Sequence, residues 1–268
     1  TRLYRFCRYI DDIGDDGDDI TLAHQTLSKI ITEINAGTSN DPVINDAIKL
    51  FNKKNIDTRV PVELIHGVLS DLKSVRIESE DQLLIYCYQV AGTVGLMMSK
   101  ILDVRDEQAY AHAIDLGIAM QLTNICRDVA EDAMMDRRYI PGGMCKNIEP
   151  GLFINPDMDT KNLISQNLTY LLNRADIYYQ SGHQGLCFLP LRARMGMAIA
   201  AFLYRHIGVK LKNNHYEFWN GRVFVSKSLK LGLTIQILLS SFFDTGFYRY
   251  KGQHQAKLHQ RAHQSCRS

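Results

Sequence analysis

Two groups of carboxylates carry most of the chemistry this sequence could perform. The first is Asp11, Asp12 and Asp15, extended by Asp16, Asp18 and Asp19. Residues four apart on a helix lie on one face about 6 Å apart along the axis, so Asp11 and Asp15 can present their carboxylates together. The second group is Asn124, Asp128 and Asp132, again at four-residue steps, with Gln121 one turn earlier. Like charges this close repel by about 3 kcal/mol per pair at an effective dielectric near 20. Something positive must compensate. Arg8 and Arg127 flank the groups, but two carboxylate rows suit hard divalent cations with oxygen ligands, Mg²⁺ above all. Such cations bridge carboxylates to a diphosphate and turn it into a leaving group. The run from Asp15 to Asp19 also reads as a solvated turn or a calcium-like loop. The second ladder sits in the most apolar helical stretch, where polar groups must be paired or working.

The elements that must position these groups are helical. Six prolines, Pro42, Pro61, Pro141, Pro150, Pro156 and Pro190, leave two long tracts free for helices. Asp41 before Pro42 reads as an N-cap with Pro at the first position, and Ser79 with Gln82 as a capping box. The latter opens a helix over about 79–102. A second long helix is expected over 106–132, where Ala113, Leu116, Ala119, Met120, Thr123 and Ile125 recur near helical period. Residues 144–159 read as a connection between two halves of a bundle. Further helices are expected over 160–181, 191–212 and 226–243, and nothing alternates long enough for a sheet. The polar stretch from residue 250 on, with His254, His259 and His263, reads as a frayed tail rather than a metal site.

Composition narrows the function. At 268 residues, 46% hydrophobic and 22% charged, the chain can bury a large core, and one domain is the default. A net charge of +2 and no basic track interleaved with aromatics argue against nucleic acid. Six cysteines without a CxxC pair indicate neither a zinc ribbon nor a disulfide framework, so a reducing, cytoplasmic setting is expected. No signal peptide is visible. The uncharged stretch 231–243 is 13 residues long, against roughly 20 for a bilayer span.

Four blocks in order resemble the phytoene and squalene synthase family. Tyr4-Arg5-Phe6-Cys7-Arg8-Tyr9-Ile10-Asp11-Asp12-Ile13-Gly14-Asp15 resembles its first aspartate-rich motif. Gln121-Leu122-Thr123-Asn124-Ile125-Cys126-Arg127-Asp128-Val129-Ala130-Glu131-Asp132 resembles the second. Tyr86-Cys87-Tyr88-Gln89-Val90-Ala91-Gly92-Thr93-Val94-Gly95 lies between them, and Arg138-Tyr139-Ile140-Pro141 follows. The resemblance implies a single all-α domain of the isoprenoid synthase type around a central cavity, over residues 1–250, with 251–268 as a tail. It implies Mg²⁺ held by Asp11, Asp15, Asp128 and Asp132 with Asn124 assisting. Arg8, Arg127 and Arg222 would bind diphosphate, beside Gln121 and Asn124. Tyr4, Tyr86 and Tyr204 would lie near the reacting carbons, together with Asp128 as a catalytic group. Val90, Ala91 and Gly95 would make room for a prenyl tail, although the small residues also suit close helix packing. Tyr86 and Tyr88 also read as core aromatics, and Arg222 as a surface ion-pair partner.

The implied reaction is the head-to-head joining of two prenyl diphosphates. Ala91-Gly92-Thr93-Val94-Gly95-Leu96-Met97 and the Leu-Thr-Asn of the second motif look more like carotenoid enzymes, so phytoene from two geranylgeranyl diphosphates leads. Squalene or dehydrosqualene from farnesyl diphosphate is second, and a non-catalytic assembly subunit third, against which the intact ladders argue. The family's lid segment ahead of the first motif is expected to be missing here, since Thr1 lies only 10 positions before Asp11: either the sequence is a fragment or the lid is absent. Insoluble substrates and product imply contact with a membrane surface, by way of the helix over 226–243. That helix also fits a core-facing position through Leu229, Leu233, Ile237 and Ser240. Oligomeric state is left open.

Overall fold

The computed structural model describes residues 2–15, 19–250, 252, 254, 255 and 258, without the side chain of Phe242. Asp16 and Asp18 of the first acidic group, and His259 and His263, lie outside the described residues. The first four helices are α1 (Arg2–Asp15), α2 (Ile20–Ala36), α3 (Pro42–Lys53) and α4 (Arg59–Ser70). Their starts follow the caps in the sequence. Asp19 accepts from the N–H groups of Thr21 and Leu22, and Asp41 from those of Val43 and Ile44 ahead of Pro42 at the first position. Asp19 is therefore a cap. Phe6, Ile10, Leu27, Ile44, Phe51 and Ile65 fill the core between these helices, with Phe6 edge-on to Phe51 at 5.2 Å.

The helical stretch expected from Ser79 is present as α5 (Glu80–Cys87), a π-helical turn (Tyr88–Gly92) and α6 (Thr93–Ile101). The π turn was not legible in the residue pattern; such bulges recur at functional sites. The helix expected over 106–132 is divided into α7 (Glu107–Arg127) and α8 (Val129–Met134). Asp128 leaves helical geometry between them at φ −102° and ψ 15°. Its N–H still bonds to Asn124 O at 2.9 Å and its carbonyl accepts from Asp132 N–H at 2.8 Å, so the thread continues through the break. The chain ends with α9 (Met158–Gly185), α10 (Leu191–Asn213), α11 (Lys227–Phe243) and α12 (Thr245–Tyr248). Asp157 caps α9 two residues earlier than expected by accepting from Thr160 N–H at 2.8 Å.

Two expectations are corrected. A parallel pair, β1 (Val75–Arg76) with β2 (Arg137–Arg138), exists where no sheet was expected. Two residues per strand are too few to leave an alternating pattern. The stretch after Tyr250 does not fray at His254, whose Nε2 lies 2.7 Å from Asp115 Oδ2. A buried carboxylate on α7 needs a partner, and this one recruits it from the far end of the chain.

Helix α7 is the axis of the larger core. Its Ile114, Ile118, Leu122 and Ile125 meet Ile164, Leu168, Leu171 and Tyr178 of α9. On its other side two glycines let backbones touch. A Cβ at Gly95 would stand 2.3 Å from Ala113 O, and one at Gly117 would stand 2.4 Å from Ala91 O. Close packing therefore demands these small residues. Gly95→Ala or Gly117→Ala should cost about 1–3 kcal/mol as overpacking, lowering Tm by roughly 3–10 °C. Gly196→Ala, at an exposed site on α10 with nothing within 4 Å, should leave Tm unchanged or slightly higher. Equal melting of all three variants would refute the contact argument.

Candidate active site

Carboxylates from three parts of the chain gather at one mouth. Asp11 and Asp15 come from α1, Asp128 and Asp132 from the break after α7, and Asp71 from the end of α4. The Asp71 carboxylate feels the charge of Asp15, and it in turn acts on both Asp11 and Asp132, so it links the two ladders. Burial, then the negative charge of Asp128, pushes the Asp132 carboxyl up to about 8. Burial and then Asp15 push Asp11 up to about 6. As a residue Asp11 remains exposed, so water screens its repulsion more than that of Asp132. Asp71 is pushed up to about 6 by burial, against two tyrosine hydroxyls that pull it down.

Those hydroxyls fix the mouth. Tyr86 and Tyr139 each donate to Asp71 at 2.7 Å, and their rings stack at 4.8 Å. Arg137 donates to the Asp71 carbonyl at 3.0 Å. The β1–β2 pair holds this segment, and next to Arg137 the buried Arg138 guanidinium reaches Glu78 at 2.9 Å. Asp128 is gripped from two sides, by Arg127 Nε at 2.7 Å and by Arg222 Nε at 2.8 Å. Arg222 is thus an ion-pair partner of the second ladder. Among the described residues, the buried oxygens Asn124 Oδ1 and Glu131 Oε2 have no hydrogen-bond partner.

Those orphaned oxygens, with repelling carboxylates beside them, fit a hard divalent cation. Asp11, Asp15, Asn124, Asp128 and Asp132 offer only oxygen donors, the set that Mg²⁺ prefers. A cation would satisfy both the unpaired acceptors and the uncompensated charge.

Behind the mouth is an apolar cavity of about 290 Å³. Of the residues singled out from the sequence, Val90, Ala91, Gly95, Gln121, Asn124 and Tyr204 line it. Along α7 its lining runs from Ala109 to Asn124, about 22 Å at 1.5 Å per residue. Its polar end, Gln121 and Asn124, lies one turn from Asp128. Apart from Ser99 the remaining wall is apolar, with Met98, Leu116 and Met120. Tyr4 is exposed on α1 and Arg8 is exposed and paired with Asp12 at 2.8 Å; neither lines the cavity. Tyr86 is buried against Asp71 and Tyr139, outside the cavity wall. Asp71, Glu131 and Arg137 were not singled out beforehand. Asp71 lies far from both ladders in sequence, and no spacing connects them.

A helical bundle with acidic clusters at the mouth of an apolar cavity is the architecture of isoprenoid synthases. It matches a crystal structure of a dehydrosqualene synthase in complex with ligand at a TM-score of 0.77, with 27% identity over 91% of this chain and 86% of that one. Squalene synthase HpnC from Alicyclobacillus acidocaldarius shares the fold at a TM-score of 0.69 and 18% identity, over 80% and 82% of the two chains. The family model for squalene/phytoene synthase matches residues 1–228. A phytoene synthase of Pseudescherichia vulneris is 32% identical over 247 residues, covering 86% of this chain and 79% of the relative. A 15-cis-phytoene synthase of Enterobacter agglomerans is 33% identical over 246 residues, 87% and 83% of the two. The chain belongs to the squalene/phytoene synthase family and is a prenyltransferase.

The raised carboxylates set a pH dependence. Asp11, Asp71 and Asp132 rise from an ordinary 3.8 to about 6, 6 and 8. The folded state therefore holds protons that the unfolded chain loses above its ordinary value near 3.8, so stability falls from about pH 4 to 6 through all three groups and from 6 to 8 through Asp132 alone. In EDTA, Tm should fall from about pH 4 to 8, and Asp132→Asn should remove the part of the fall above pH 6. A flat wild-type profile, or an unchanged slope in the variant, would contradict the crowding of charge at the mouth.

Proposed function

We propose that this chain joins two geranylgeranyl diphosphates head to head to give phytoene, through a cyclopropylcarbinyl diphosphate, as a first step of carotenoid formation. The observation that carries this reading is the gathering of carboxylates from three elements at the entrance of an apolar cavity whose lining spans about 22 Å of α7. In this reading residues 1–250 act as one domain.

Asp11, Asp15, Asp128 and Asp132 hold Mg²⁺, with Asn124 offering its unpaired oxygen. When bound, Mg²⁺ neutralises the diphosphate and makes it a leaving group. Arg127 and Arg222, paired with Asp128, turn to the diphosphate oxygens, and Arg8 joins them from α1. Gln121 orients the diphosphate end of the substrate. Ionisation then leaves an allylic cation against a mainly apolar wall. Val90, Ala91 and Gly95 shape the space for the tail. The face of Tyr204 stabilises the cation, by roughly 1–2 kcal/mol when desolvated, Tyr86 holds Asp71 at the mouth, and Tyr4 guards the rim. The cation adds to the double bond of the second chain and closes a cyclopropane. A second ionisation, rearrangement and proton loss complete phytoene. A dehydrosqualene-type reaction on farnesyl diphosphate is the second reading, supported by the fold match at 27% identity.

Purified protein given geranylgeranyl diphosphate and Mg²⁺ should form phytoene without NADPH, and EDTA should abolish turnover. Asp11→Ala and Asp128→Ala should each lower kcat by about a hundredfold or more. A hydrocarbon made mainly from farnesyl diphosphate, or activity surviving in EDTA, would overturn the substrate or the metal assignment respectively.

The product is insoluble, and we propose that it leaves at a membrane surface on the cytoplasmic side. No helix among the described residues is long and apolar enough to cross a bilayer. Helix α11 instead has two faces. Leu233 is buried against the body, with Leu229 and Ile237 on the same stripe half-buried. Leu231, Ile235, Leu238 and Leu239 are exposed on the opposite side at helical spacing. Exposed Lys227 and Lys230 stand at its start, suited to anionic headgroups. The protein should float with anionic vesicles at low salt, and Leu231→Ser with Leu239→Ser should return it to the soluble fraction. Flotation unchanged by the pair would assign binding to another surface.

A further inference from the structure

The prenyl chemistry uses nothing from a second polar cluster, which is buried between α7, α9 and the end of the chain. Asp115 on α7 is completely buried, and His112, one turn earlier, is 1% exposed. Ser181 of α9 donates to Asp115 Oδ2 at 2.5 Å, and its hydroxyl oxygen lies 2.9 Å from His112 Nδ1. His254 Nε2 approaches the same carboxylate oxygen at 2.7 Å, and Tyr250 OH lies 3.0 Å from His112 Nε2. One ligand atom from each of His112, Asp115 and His254 falls within 4.8 Å of the others.

We propose that His112, Asp115 and His254 form a second metal site, for one transition-metal cation of the Zn²⁺ class, that staples the C-terminal strap onto α7 and α9. The donor chemistry separates it from the mouth. Two imidazoles and one carboxylate suit Zn²⁺, whereas the mouth offers only oxygen, which suits Mg²⁺. Asp115 precedes Asp128 by 13 residues on one helix thread, about 20 Å along the axis. Zinc sits about 2.0–2.2 Å from such ligands, so the three atoms must close on a common centre. His254 belongs to the strap, and its movement supplies that closure. Each histidine has two ring nitrogens; with one on the metal, His112 keeps the other on a hydroxyl, Ser181 or Tyr250, which fixes its ring as an outer-shell partner does.

The strap gives the staple a purpose. His183 meets Asp244 at 2.7 Å, Arg194 donates to Phe247 O at 2.8 Å, and Tyr178 OH donates to Leu258 O at 2.5 Å. These contacts draw the segment across α9. Ala113 and Leu116, beside the cluster on α7, and Gly182 and Gly185, beside Ser181 on α9, line the part of the cavity remote from the mouth. A cation here would hold the two helices that bound that end at a fixed separation.

The test loads the full chain with Zn²⁺ or Co²⁺ in excess Mg²⁺, so that oxygen-only sites are already taken, then desalts it. Wild type should retain about one equivalent of Zn²⁺ and His254→Ala less than about a tenth of that. The Co²⁺ form should show the visible bands of a four-coordinate nitrogen-containing site, absent in His254→Ala. Zn²⁺ should raise the Tm of wild type but not of the variant. His254 lies on the strap, so the variant should keep the helical circular dichroism of the parent; should it lose that, His112→Gln serves in its place. Wild type that retains no more Zn²⁺ than the variant, or that shows only six-coordinate Co²⁺ bands, would overturn the site and leave the cluster as a hydrogen-bonded latch.

Discussion

Carboxylates that repel one another must be held at one mouth, and much of the surrounding structure serves that end. Two of them, Asp128 and Asp132, sit across a break in the helix thread, and a third, Asp71, is placed where it couples to both ladders. At several Å each like pair opposes folding by about 3 kcal/mol. The fold answers with arginines and phenols. Arg127 and Arg222 neutralise Asp128, Arg137 faces Asp71 and Asp132, and Tyr86 and Tyr139 solvate Asp71 in place of water. Asp132 is only partly compensated by Arg137, and the buried oxygens of Asn124 and Glu131 have no hydrogen-bond partner. That remaining imbalance would suit a cation, since a preformed cluster of acceptors needs no assembly before binding one.

The same helices carry the cavity, and two demands meet in the same residues. Gly95 lines the apolar space, yet it is also where α6 touches the Ala113 carbonyl of α7. Smallness there serves packing first, and cavity width follows from it. The apolar wall and the approach to the charged mouth belong to a single helix, α7, whose cavity-lining residues are apolar from Ala109 to Met120 and polar at Gln121 and Asn124, one turn short of Asp128. In the proposed reaction, a cation formed at the polar end would face an apolar wall.

How much of this could be read from the residues differs from one element to the next. The ladders were legible because a four-residue step has one meaning on a helix. The caps at Asp41 and Ser79 were legible because capping is local chemistry, and the inward stripe of α11 was legible at Leu229, Leu233 and Ile237 but not at Ser240, which is exposed. The break at Asp128 was not, since a single residue leaving the helix alters no periodicity. The β1–β2 pair was too short to register. Tyr86 could be read as cation partner or core aromatic, and only its bond to Asp71 reveals what orients it.

The sequence by itself determined the helical class, the two acidic ladders and the family to which the chain belongs, because each rests on residues close together along the chain. Tertiary structure alone decided which distant groups share a field. Asp71 acts on both ladders, Arg222 grips Asp128, and His254 returns to a carboxylate on α7. Pairings of this kind are set by how helices cross and where loops close. Electrostatic energy depends on distance in space and on burial, neither of which separation along the chain encodes.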